Sequence, residues 1–329
     1  MSVLILRFMD TFSLIGHSPV FRQLLNTAQL VAATHATVLI SGESGSGKEN
    51  LARFLHAHSP LASRPFIAVN CANLPENLVE SELFGHRRGA FSNALTDRDG
   101  IVRAAHNGTL FLDEIGELPL MAQAKLLRFL ENGEILPLGY DQPIRAHVRV
   151  IAATNCDLEK MVKLGRFRAD LFYRLQVVPM EVPPLRERVG DIGLLVAHFI
   201  AMAARQHSLQ AVSFSPEAIK ALKAYAWPGN VRELKNLCER LTILCGFQRE
   251  PLGVENLPHN IRGGQRAAPA AAAAATPLNL EQTERDLILQ ALEQTRGNRT
   301  RAAKLLGISR YTLLYRMKKH AGTEATCRA

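Results

Sequence analysis

The stretch "LISGESGSGKENLARFLH", residues 39–56, determines how the rest of the chain is interpreted. It begins with an apolar run typical of a buried strand, passes through closely spaced glycines, and continues with the apolar spacing of a helix. Its centre matches G-x-x-x-x-G-K, in which glycines let the backbone curl around phosphates and the following helix N-terminus supplies a positive field. The pattern predicts a nucleotide phosphate loop, and the alternative is a surface turn rich in glycine and serine. The residues assigned to this loop are Gly42, Glu43, Ser44, Gly45, Ser46, Gly47 and Lys48.

Glu49 stands after the lysine, where phosphate loops usually carry serine or threonine. The hydroxyl that normally ligates magnesium is therefore missing, so another oxygen must take its place. A carboxylate at position 49 could bind the ion directly or through water.

A pair of acidic residues supports the same interpretation. "GTLFLDEIGELP", residues 108–119, is an apolar strand that ends in Asp113 and Glu114. Alone, such a pair is often a solvated strand end. Beside a phosphate loop, it suits magnesium binding by Asp113 and water activation by Glu114.

The distribution of apolar segments predicts an α/β domain followed by helices. Short β-branched runs alternate with helical patterns, as in a parallel sheet covered by helices. The predicted strands are Thr37–Ser41, Phe66–Asn70, Thr109–Asp113, His147–Thr154 and Val177–Val182. The predicted helices beyond them are Ile192–Gln206, Pro216–Tyr225 and Val231–Cys245.

Composition narrows the class of protein. Hydrophobic residues make up 47% and charged residues 21% of the 329, as in ordinary globular proteins. No apolar run is long enough for a membrane span, and the start does not resemble a signal peptide, so we expect a cytoplasmic protein with no membrane partner. The cysteines are scattered without zinc spacing, which favours free thiols.

The basic charge is concentrated at the end of the chain. The net charge is +9, and residues 262–329 hold twelve Lys or Arg against five Asp or Glu, a balance of +7. A basic tail on a nearly neutral body is typical of nucleic-acid binding, and a solvated basic face is the alternative. "RGGQRAAPAAAAAATP", residues 262–277, has the composition of a linker before that tail.

Eight ordered motifs together resemble one family. The chain resembles the AAA+ domain of bacterial enhancer-binding proteins, the NtrC-like activators of sigma-54 RNA polymerase, from about Ile15 to Ile261. That family also carries glutamate after the loop lysine, so Glu49 fits the family pattern. The motifs are "GESGSGKE", "NCANL", "ESELFGHRRGAFSNA", "GTLFLDEIGELP", "VRVIAATN", "FRADLFYRL", "PPLRER" and "WPGNVRELKN".

The resemblance implies roles for further residues. Asn70 matches an asparagine that hydrogen-bonds and gates the catalytic glutamate, and Asn155 matches a residue that senses the γ-phosphate. Arg168 and Arg174 match arginines presented to a neighbouring subunit's nucleotide, where they stabilise transition-state charge. Arg232 matches a second sensor on the helical subdomain. For an isolated arginine, a surface ion pair would be the simpler reading.

The resemblance also points to a loop that contacts sigma-54. Family members carry GAFTGA at its tip, and this chain carries Gly89, Ala90, Phe91, Ser92, Asn93 and Ala94. Phe91 and a hydroxyl at position 92 are kept, but asparagine replaces glycine at position 93. Asparagine tolerates positive φ, so the turn could survive, while its side chain adds bulk at the contact surface.

The segment "GNRTRAAKLLGISRYTLLYRMKKHAG", residues 297–322, predicts a helix, a tight turn and a second helix. It resembles the Fis-type helix-turn-helix, and a hairpin that binds no DNA is the alternative. The preceding helix, Leu280–Gln294, is expected to form a dimer seam. The residues assigned to DNA binding are Arg301, Ser309, Arg310, Tyr311, Thr312, Arg316, Lys318 and Lys319.

The sequence thus predicts a fold of three parts: an AAA+ P-loop domain with a parallel sheet flanked by helices, an α-helical lid subdomain, and an all-α helix-turn-helix domain. The predicted divisions are a short extension (1–14), the α/β subdomain (15–184), the lid (185–261), the linker (262–277) and the DNA-binding domain (278–329). Because only fourteen residues precede the AAA+ region, where the family often has a receiver domain, we expect control by expression level or by a separate regulatory protein.

The function that the resemblance implies is sigma-54-dependent transcription activation. Dimers would bind upstream enhancer DNA and assemble into a hexameric or heptameric ring, which hydrolyses ATP with Mg²⁺ to remodel the closed complex of the sigma-54 RNA polymerase holoenzyme. One alternative is a sigma-54-independent DNA-binding regulator whose GAFSNA loop does not couple to polymerase. A remodelling ATPase with another client has no use for the helix-turn-helix, and a plain repressor has no use for Glu114 or Arg168.

Overall fold

In the computed structural model of the protein, the residues described are 5–8, 12–91, 94–247, 250–262 and 298–299. The chain divides into two units, Met1–Ala267 and Ala268–Ala329. The predicted α/β and lid subdomains both lie in the first unit, which contains all of the elements described below.

The strands of the first unit form a central parallel sheet and two small antiparallel pairs. The central sheet has the order β4-β5-β8-β3-β9, and all of its neighbours run parallel. β1 pairs with β2, and β6 pairs with β7. Within the described residues the strands are β1 (Ile5–Phe8), β2 (Phe12–Ile15), β3 (Val38–Ser41), β4 (Phe66–Asn70), β5 (Thr109–Asp113), β6 (Glu134–Ile135), β7 (Ile144–Arg145), β8 (Arg149–Thr154) and β9 (Val178–Glu181).

The helices are listed here in chain order, for the described residues. They are α1 (Pro19–Ala32), α2 (Lys48–Ala57), α3 (Val79–Phe84), α4 (Ile101–Ala104), α5 (Leu120–Asn132), α6 (Leu158–Lys163), α7 (Ala169–Leu175), α8 (Ile192–Gln206), α9 (Pro216–Ala224), α10 (Asn230–Cys245) and α11 (His259–Arg262).

The pattern of α1 shows how the sequence specifies a helix that covers the sheet. Proline at the first helical position has its φ preset for a helix and needs no hydrogen-bond acceptor. Phe21, Leu25 and Ala28 recur at threes and fours and are buried against the sheet. At the other end, the buried Arg149 guanidinium donates to the carbonyls of Val31, at 3.0 Å, and Ala32, at 2.9 Å. Truncating Leu25 to alanine should cost about 2–5 kcal/mol through the cavity it leaves.

The sheet has hydrophobic clusters on its faces, and the lid has a third cluster of its own. Every residue of β8 is buried, as expected for a central parallel strand covered on both faces. The lid core surrounds Trp227, the single tryptophan of the chain, which is fully buried and donates from Nε1 to the carbonyl of Leu222 at 2.8 Å. The lid therefore has its own core while remaining in one unit with the sheet.

The five predicted strands and the three predicted helices between Ile192 and Cys245 are confirmed, with bounds that differ by a residue or two. The five predicted strands are the five strands of the central sheet. The structure differs from the predicted short extension over residues 1–14, because the hairpin β1–β2 forms there and Leu14 is buried in the sheet core. Cys71, Cys156, Cys238 and Cys245 are free thiols as expected, and Cys327 lies outside the described residues. Among the described helices, none has the length and apolarity needed to span a membrane.

Candidate functional site

The carboxyl ends of the parallel strands gather most of the predicted residues at one edge of the sheet. The phosphate loop follows β3, Asp113 ends β5, and Asn155 follows β8, which lies between those two strands. Asn70 ends β4 and pairs in register with Asp113. This edge is where open α/β sheets bind their ligands.

The phosphate loop curves tightly because three of its glycines have positive φ. Gly42, Gly45 and Gly47 have φ of 151°, 74° and 108°, values that residues with a side chain rarely adopt. The amide of Gly42 donates to the carbonyl of Thr154 at 3.2 Å, which ties the loop to the neighbouring strand β8. The sequence prediction of a loop between strand and helix is therefore confirmed as a conformation.

Lys48 is buried at the start of α2 and points back into its own loop. Its ammonium group donates to the carbonyl of Gly42 at 2.8 Å and to that of Glu43 at 3.3 Å. Burial lowers the pKa of the lysine, while the negative charges of Glu114 and Asp113 oppose that shift. Because the Lys48 ammonium group is already buried, binding a phosphate costs it little further desolvation.

Unsatisfied donors in the loop fit a phosphate group. α2 begins at Lys48, and no side chain caps its first turn, so the first amides of this helix lack an intrahelical acceptor. Within the described residues, the buried Ser46 hydroxyl has no hydrogen-bond partner. Next to it, a Cβ at Gly47 would meet nothing within 4 Å, so the loop leaves open space there. Free amides, an unpaired hydroxyl and a buried ammonium group are the donors that bind phosphate oxygens.

The carboxylates of Asp113 and Glu114 face this cradle. Burial raises the pKa of Asp113, the charge of Glu114 raises it further, and Lys48 opposes both effects. Glu114 adopts a left-handed conformation with φ of 52°, which is uncommon for a residue other than glycine. Its Oε2 accepts a hydrogen bond from the amide of Asn155 at 3.3 Å. Two partly buried acids side by side are a chemically suitable site for a divalent cation.

Asn70 and Asn155 do not make the same contacts with the acids. Asn70 uses its Oδ1 to accept from the amide of Ala72 at 2.9 Å and is not hydrogen-bonded to Glu114. Asn155 is linked to Glu114 through its backbone amide, and its side-chain oxygen accepts from the Cys156 thiol at 3.2 Å. The hydrogen bond that the resemblance implies between Asn70 and the glutamate is thus absent from this arrangement of the described residues.

Glu49 is engaged in an ion pair rather than directed at Asp113. Arg53, one helical turn along α2, donates from Nη2 to Oε1 of Glu49 at 2.7 Å and from Nε at 3.0 Å. The Glu49 side chain is about half exposed. Of the two predicted metal ligands, Asp113 is the better placed in this conformation.

Arg232 reaches the phosphate loop from the lid. It lies in the first turn of α10, and its Nη1 donates to the Ser44 hydroxyl at 3.0 Å. The residue is exposed, which leaves its remaining donors accessible from the cavity. The structure therefore brings the predicted lid arginine and the phosphate loop together.

Arg168 and Arg174 lie away from this cavity, on the surface of the same subunit. Arg168 donates to both carboxylate oxygens of Asp170, at 3.1 and 2.7 Å. Arg174 donates from Nε and Nη2 to the carbonyl of Leu130. Both side chains are exposed, and neither lines the cavity at the phosphate loop of its own chain.

The segment that carries the GAFSNA sequence begins three residues after His86 and packs against it. The ring of Phe91 packs edge-on against that of His86, with centroids 5.0 Å apart. The amide of Gly89 donates to the carbonyl of Ala94, and the amide of Ala94 donates to the carbonyl of Phe91, so the base of the loop is hydrogen-bonded. Ser92 and Asn93 lie outside the described residues.

The cavity at the phosphate loop has an apolar end that the sequence analysis missed. Its volume is about 340 Å³, within the range of nucleotide and drug-sized ligand sites. The apolar wall comes from β2 and α1, near the start of the chain, and from α8, far along it, so no single motif identifies it. Its members are Leu14, Ile15, Phe21, Leu24, Leu195, Phe199 and Met202. A flat apolar group such as a nucleobase fits this end.

Arg301, Ser309, Arg310, Tyr311, Thr312, Arg316, Lys318 and Lys319 lie outside the described residues, as do the predicted linker beyond Arg262 and the predicted dimer helix. The assignments therefore stay predictions from the sequence.

Family models match three successive parts of the chain. The model described as a sigma-54 interaction domain matches residues 14–181, and that of an AAA+ ATPase lid domain matches residues 186–274. The model described as a bacterial regulatory protein of the Fis family matches residues 279–320.

Curated relatives match along nearly the whole chain. Regulatory protein AtoC of Escherichia coli strain K12 is 45% identical over 314 residues, which cover 93% of this chain and 67% of the relative. Transcriptional regulatory protein ZraR of Klebsiella oxytoca is 46% identical, over 94% of this chain and 69% of the relative. Response regulator protein PilR of Pseudomonas aeruginosa is 44% identical, over 93% and 69%.

Solved structures show the same architecture. NtrX from Brucella abortus in complex with ADP has a TM-score of 0.73 and 35% identity, over 94% of this chain and 69% of that one. The same protein in complex with ATP gives a TM-score of 0.72 at 35% identity, over 95% and 69%.

Proposed function

Because the chain belongs to the NtrC-like, sigma-54-dependent transcriptional activators, we propose that its AAA+ ATPase works in a ring of subunits that remodels the promoter complex of sigma-54 RNA polymerase. The match to a sigma-54 interaction domain disfavours the alternative of a regulator that acts without sigma-54. The ring, the magnesium ion and the roles of individual residues are parts of this proposal.

The observation that carries the proposal is the arrangement at the edge of the sheet. A buried ammonium group, an unpaired Ser46 hydroxyl and the uncapped first turn of α2 face two carboxylates across one cavity. Such a set of donors binds a polyphosphate, and the carboxylates supply a metal ligand and a base. These are the parts that phosphoryl transfer to water requires.

We assign each residue a role according to its contacts. ATP supplies a γ-phosphate whose transfer to water releases free energy. Lys48 and the loop amides would neutralise charge on the phosphates, and Asp113 would hold Mg²⁺. Glu114 is the general base that takes the proton from the attacking water, and the amide of Asn155 orients its carboxylate. Glu49 can assist Asp113 only through water or by releasing Arg53.

Arg168 and Arg174 are assigned to the neighbouring subunit's site. Both are exposed and neither lines the cavity of its own chain, which supports a role outside their own subunit's site. A guanidinium group brought in by a neighbour can stabilise charge in the transition state. Hydrolysis would then depend on assembly, which explains why a ring is part of the mechanism.

We assign contact with sigma-54 to Phe91 and its loop. Binding of upstream DNA is assigned to the Fis-type region. Dimers bound to upstream DNA would raise the local concentration of the ATPase at the promoter. Acting on promoter DNA, the protein would work in the cytoplasm, in association with the nucleoid.

A subunit-mixing experiment tests the shared site. We would prepare Lys48→Ala, which cannot hold phosphate, and Arg168→Ala, which cannot assist its neighbour, and expect each alone to lose ATPase by roughly 10²-fold or more. Mixed at equal concentration, they form interfaces that pair an intact Lys48 with an intact Arg168. The mixture should therefore hydrolyse ATP faster than either variant alone.

The control is Arg103→Ala, which removes another exposed arginine, remote from the cavity. It should keep full ATPase at every protein concentration. If Arg168→Ala also keeps full activity, or if mixing restores nothing while both variants assemble normally, the site is not shared between subunits.

A further inference from the structure

Glu43, on the outer bend of the phosphate loop, is bound by two lid groups at once. Arg186 donates from Nη1 to Oε2 at 2.8 Å and from Nη2 to Oε1 at 2.7 Å, a two-pronged pair. Asn230 donates from Nδ2 to Oε2 at 3.0 Å. The partners follow Glu43 by 143 and 187 residues, so they connect the loop with two separate parts of the lid.

Asn230 is the buried centre of this contact. Its Oδ1 accepts from the amide of Leu185 at 2.8 Å, and its Nδ2 also donates to the carbonyl of Ser44 at 3.1 Å. The residue is fully buried and has φ of 50°, a conformation in which asparagine is strongly favoured over most residues. One amide group thus joins the phosphate loop, the turn before α8 and the start of α10.

Backbone hydrogen bonds also join the lid to the phosphate loop. The amides of Val231 and Arg232 both donate to the carbonyl of Gly45, at 3.0 and 3.3 Å. A Cβ on Gly45 would lie 2.5 Å from the carbonyl oxygen of Gly229, so only glycine allows this approach. The first turn of α10, which carries Arg232, is therefore held against the bend of the loop.

We propose that Glu43, Arg186 and Asn230 form a clasp that fixes the lid on the phosphate loop and thereby positions Arg232 over the nucleotide cavity. Arg186 and Asn230 are positioning residues in this account, since neither lines the nucleotide cavity beneath the loop. The proposal rests on the proposed function in one respect: it takes the cavity to be the site of ATP turnover.

The parts of the clasp contribute unequally. The side chains of Arg186 and Glu43 are 45% and 43% exposed, and exposed ion pairs alone add little to stability. This pair differs from a typical surface pair because its geometry is two-pronged and because a buried amide shares the carboxylate. The Arg186 hydrogen bonds hold the pKa of Glu43 below its ordinary value, so the carboxylate stays charged through the neutral range.

The clasp makes a specific prediction for kinetics. Without it, the lid closes less firmly over the nucleotide, so binding is weakened in the ground state and the transition state alike. Arg186→Ala should therefore raise the KM for ATP and the Kd for ADP by about tenfold, with kcat changed by less than about twofold. Arg232→Ala removes the positioned group itself, so its effect on KM and Kd should be at least as large.

Hydrogen exchange tests the clasp without any nucleotide. In the wild-type full chain, the amides of Val231 and Arg232 are protected by their bonds to Gly45. In Arg186→Ala and Glu43→Gln, exchange in the peptide that contains them should be faster by about tenfold, as expected for loss of a charge-assisted bond. Peptides from α5 should exchange as in wild type, which separates local opening from general unfolding.

Two further variants sharpen the comparison. Glu43→Ala combined with Arg186→Ala should be no worse than Glu43→Ala alone, because both changes break the same contact. Asn230→Asp keeps the shape but places a second carboxylate beside Glu43, so it should exceed Arg186→Ala in effect. The control is Arg103→Ala, which breaks the Arg103–Asp99 pair of similar arginine exposure and should change neither exchange nor KM.

The results distinguish this proposal from the proposed function. If wild type fails to hydrolyse ATP, the proposed function fails, while the exchange experiment still decides the clasp. If wild type hydrolyses ATP and Arg186→Ala leaves exchange, KM and Kd unchanged, the clasp is overturned. Strictly additive losses in the double variant would likewise overturn it.

Discussion

Glu114 and Asn155, from neighbouring strands of the sheet, are joined by a hydrogen bond of 3.3 Å from the Asn155 amide to the Glu114 carboxylate. Glu114 reaches this contact because its backbone is left-handed, with φ of 52°. Such a conformation carries strain for a residue with a side chain, and strain of this kind is concentrated at functional sites. The contact fixes the carboxylate at the edge of the sheet, where the phosphate loop also begins.

Replacing Glu114 with glutamine should separate binding from hydrolysis. Glutamine keeps the shape and can still accept from the Asn155 amide, but it cannot take a proton from water. We expect the ATPase rate to fall by about 10²–10⁴-fold, with ATP affinity within a few-fold of wild type. Single-turnover hydrolysis and equilibrium binding of ATP measure the two quantities.

The matched control for that experiment is Glu117→Gln. Glu117 is an exposed acid three residues further on, and it should tolerate the same change with no loss of rate. Equal rates for Glu114→Gln and wild type would remove Glu114 from the catalytic role.

Asp113 should make stability depend on pH in an unusual direction. Burial and the charge of Glu114 raise its pKa in the folded protein, so the folded state binds this proton more tightly than the unfolded state. The Asp113 contribution to stability therefore falls as pH rises from the unfolded pKa through the higher folded pKa. Asp113→Asn should raise the Tm of the nucleotide-free protein at neutral pH while abolishing magnesium-dependent ATPase.

A second aspartate, Asp157, should contribute to stability with the opposite dependence on pH. The hydrogen bond from the Lys160 amide, together with one from its ammonium group, lowers the pKa of Asp157, so its ionised form favours the folded state. Asp157→Asn should therefore lower the Tm slightly at neutral pH, and both differences should shrink as the solution is made acidic. A lower Tm for Asp113→Asn at neutral pH would contradict the electrostatic account of the site.

Phe91 should be needed for coupling and not for hydrolysis. Its ring contacts His86 at the base of the loop, remote from the phosphate cradle. Phe91→Ala should keep ATPase within about twofold of wild type while reducing open complexes at a sigma-54 promoter by roughly tenfold or more, as for loss of an aromatic anchor. Phe247→Ala, which removes an exposed phenylalanine of the lid, is the control and should reduce neither.

A substitution at Asn93 tests the effect of having asparagine where the family loop has glycine. Restoring glycine with Asn93→Gly should leave open-complex yield equal to or higher than that of wild type, because it removes side-chain bulk from the contact surface. A clear decrease would mean that this chain's loop depends on the asparagine.

The basic tail should determine DNA binding independently of the motor. Arg310→Ala and Arg316→Ala should each weaken operator binding by about tenfold or more, since a base or phosphate contact from arginine is worth 1–3 kcal/mol, while ATPase stays intact. Gel-shift titration at fixed salt measures the affinity. Arg328→Ala, near the chain end, is the control for charge alone, and unchanged affinity in both test variants would refute the reading helix.

Much of the fold could be predicted because its signals are local. The strand-loop-helix at the phosphate loop is specified by consecutive residues, and the strand before Asp113 is a plain apolar run. Since parallel strands end at one edge, the sequence also predicts that Lys48, Asp113 and Glu114 meet there. The structure confirms this convergence.

Other features depend on contacts between distant segments and could not be predicted. The apolar wall joins Phe21 of α1 with Phe199 of α8, and neither residue belongs to a motif. Glu43 looked like one more residue of the phosphate loop, and its bonds to Arg186 and Asn230 follow only from the placement of the lid. The ion pair of Glu49 with Arg53 is different, because the two residues are four apart on α2 and this spacing by itself indicates such a pair.

The most direct measurement is open-complex formation by purified full-length protein with sigma-54 holoenzyme on a sigma-54 promoter, with ATP hydrolysis followed in the same samples. Our account predicts stable open complexes with wild type and ATP, and none with Glu114→Gln or without hydrolysable nucleotide. Normal hydrolysis of ATP by wild type with no open complexes formed would contradict the claim that this motor acts on sigma-54 polymerase.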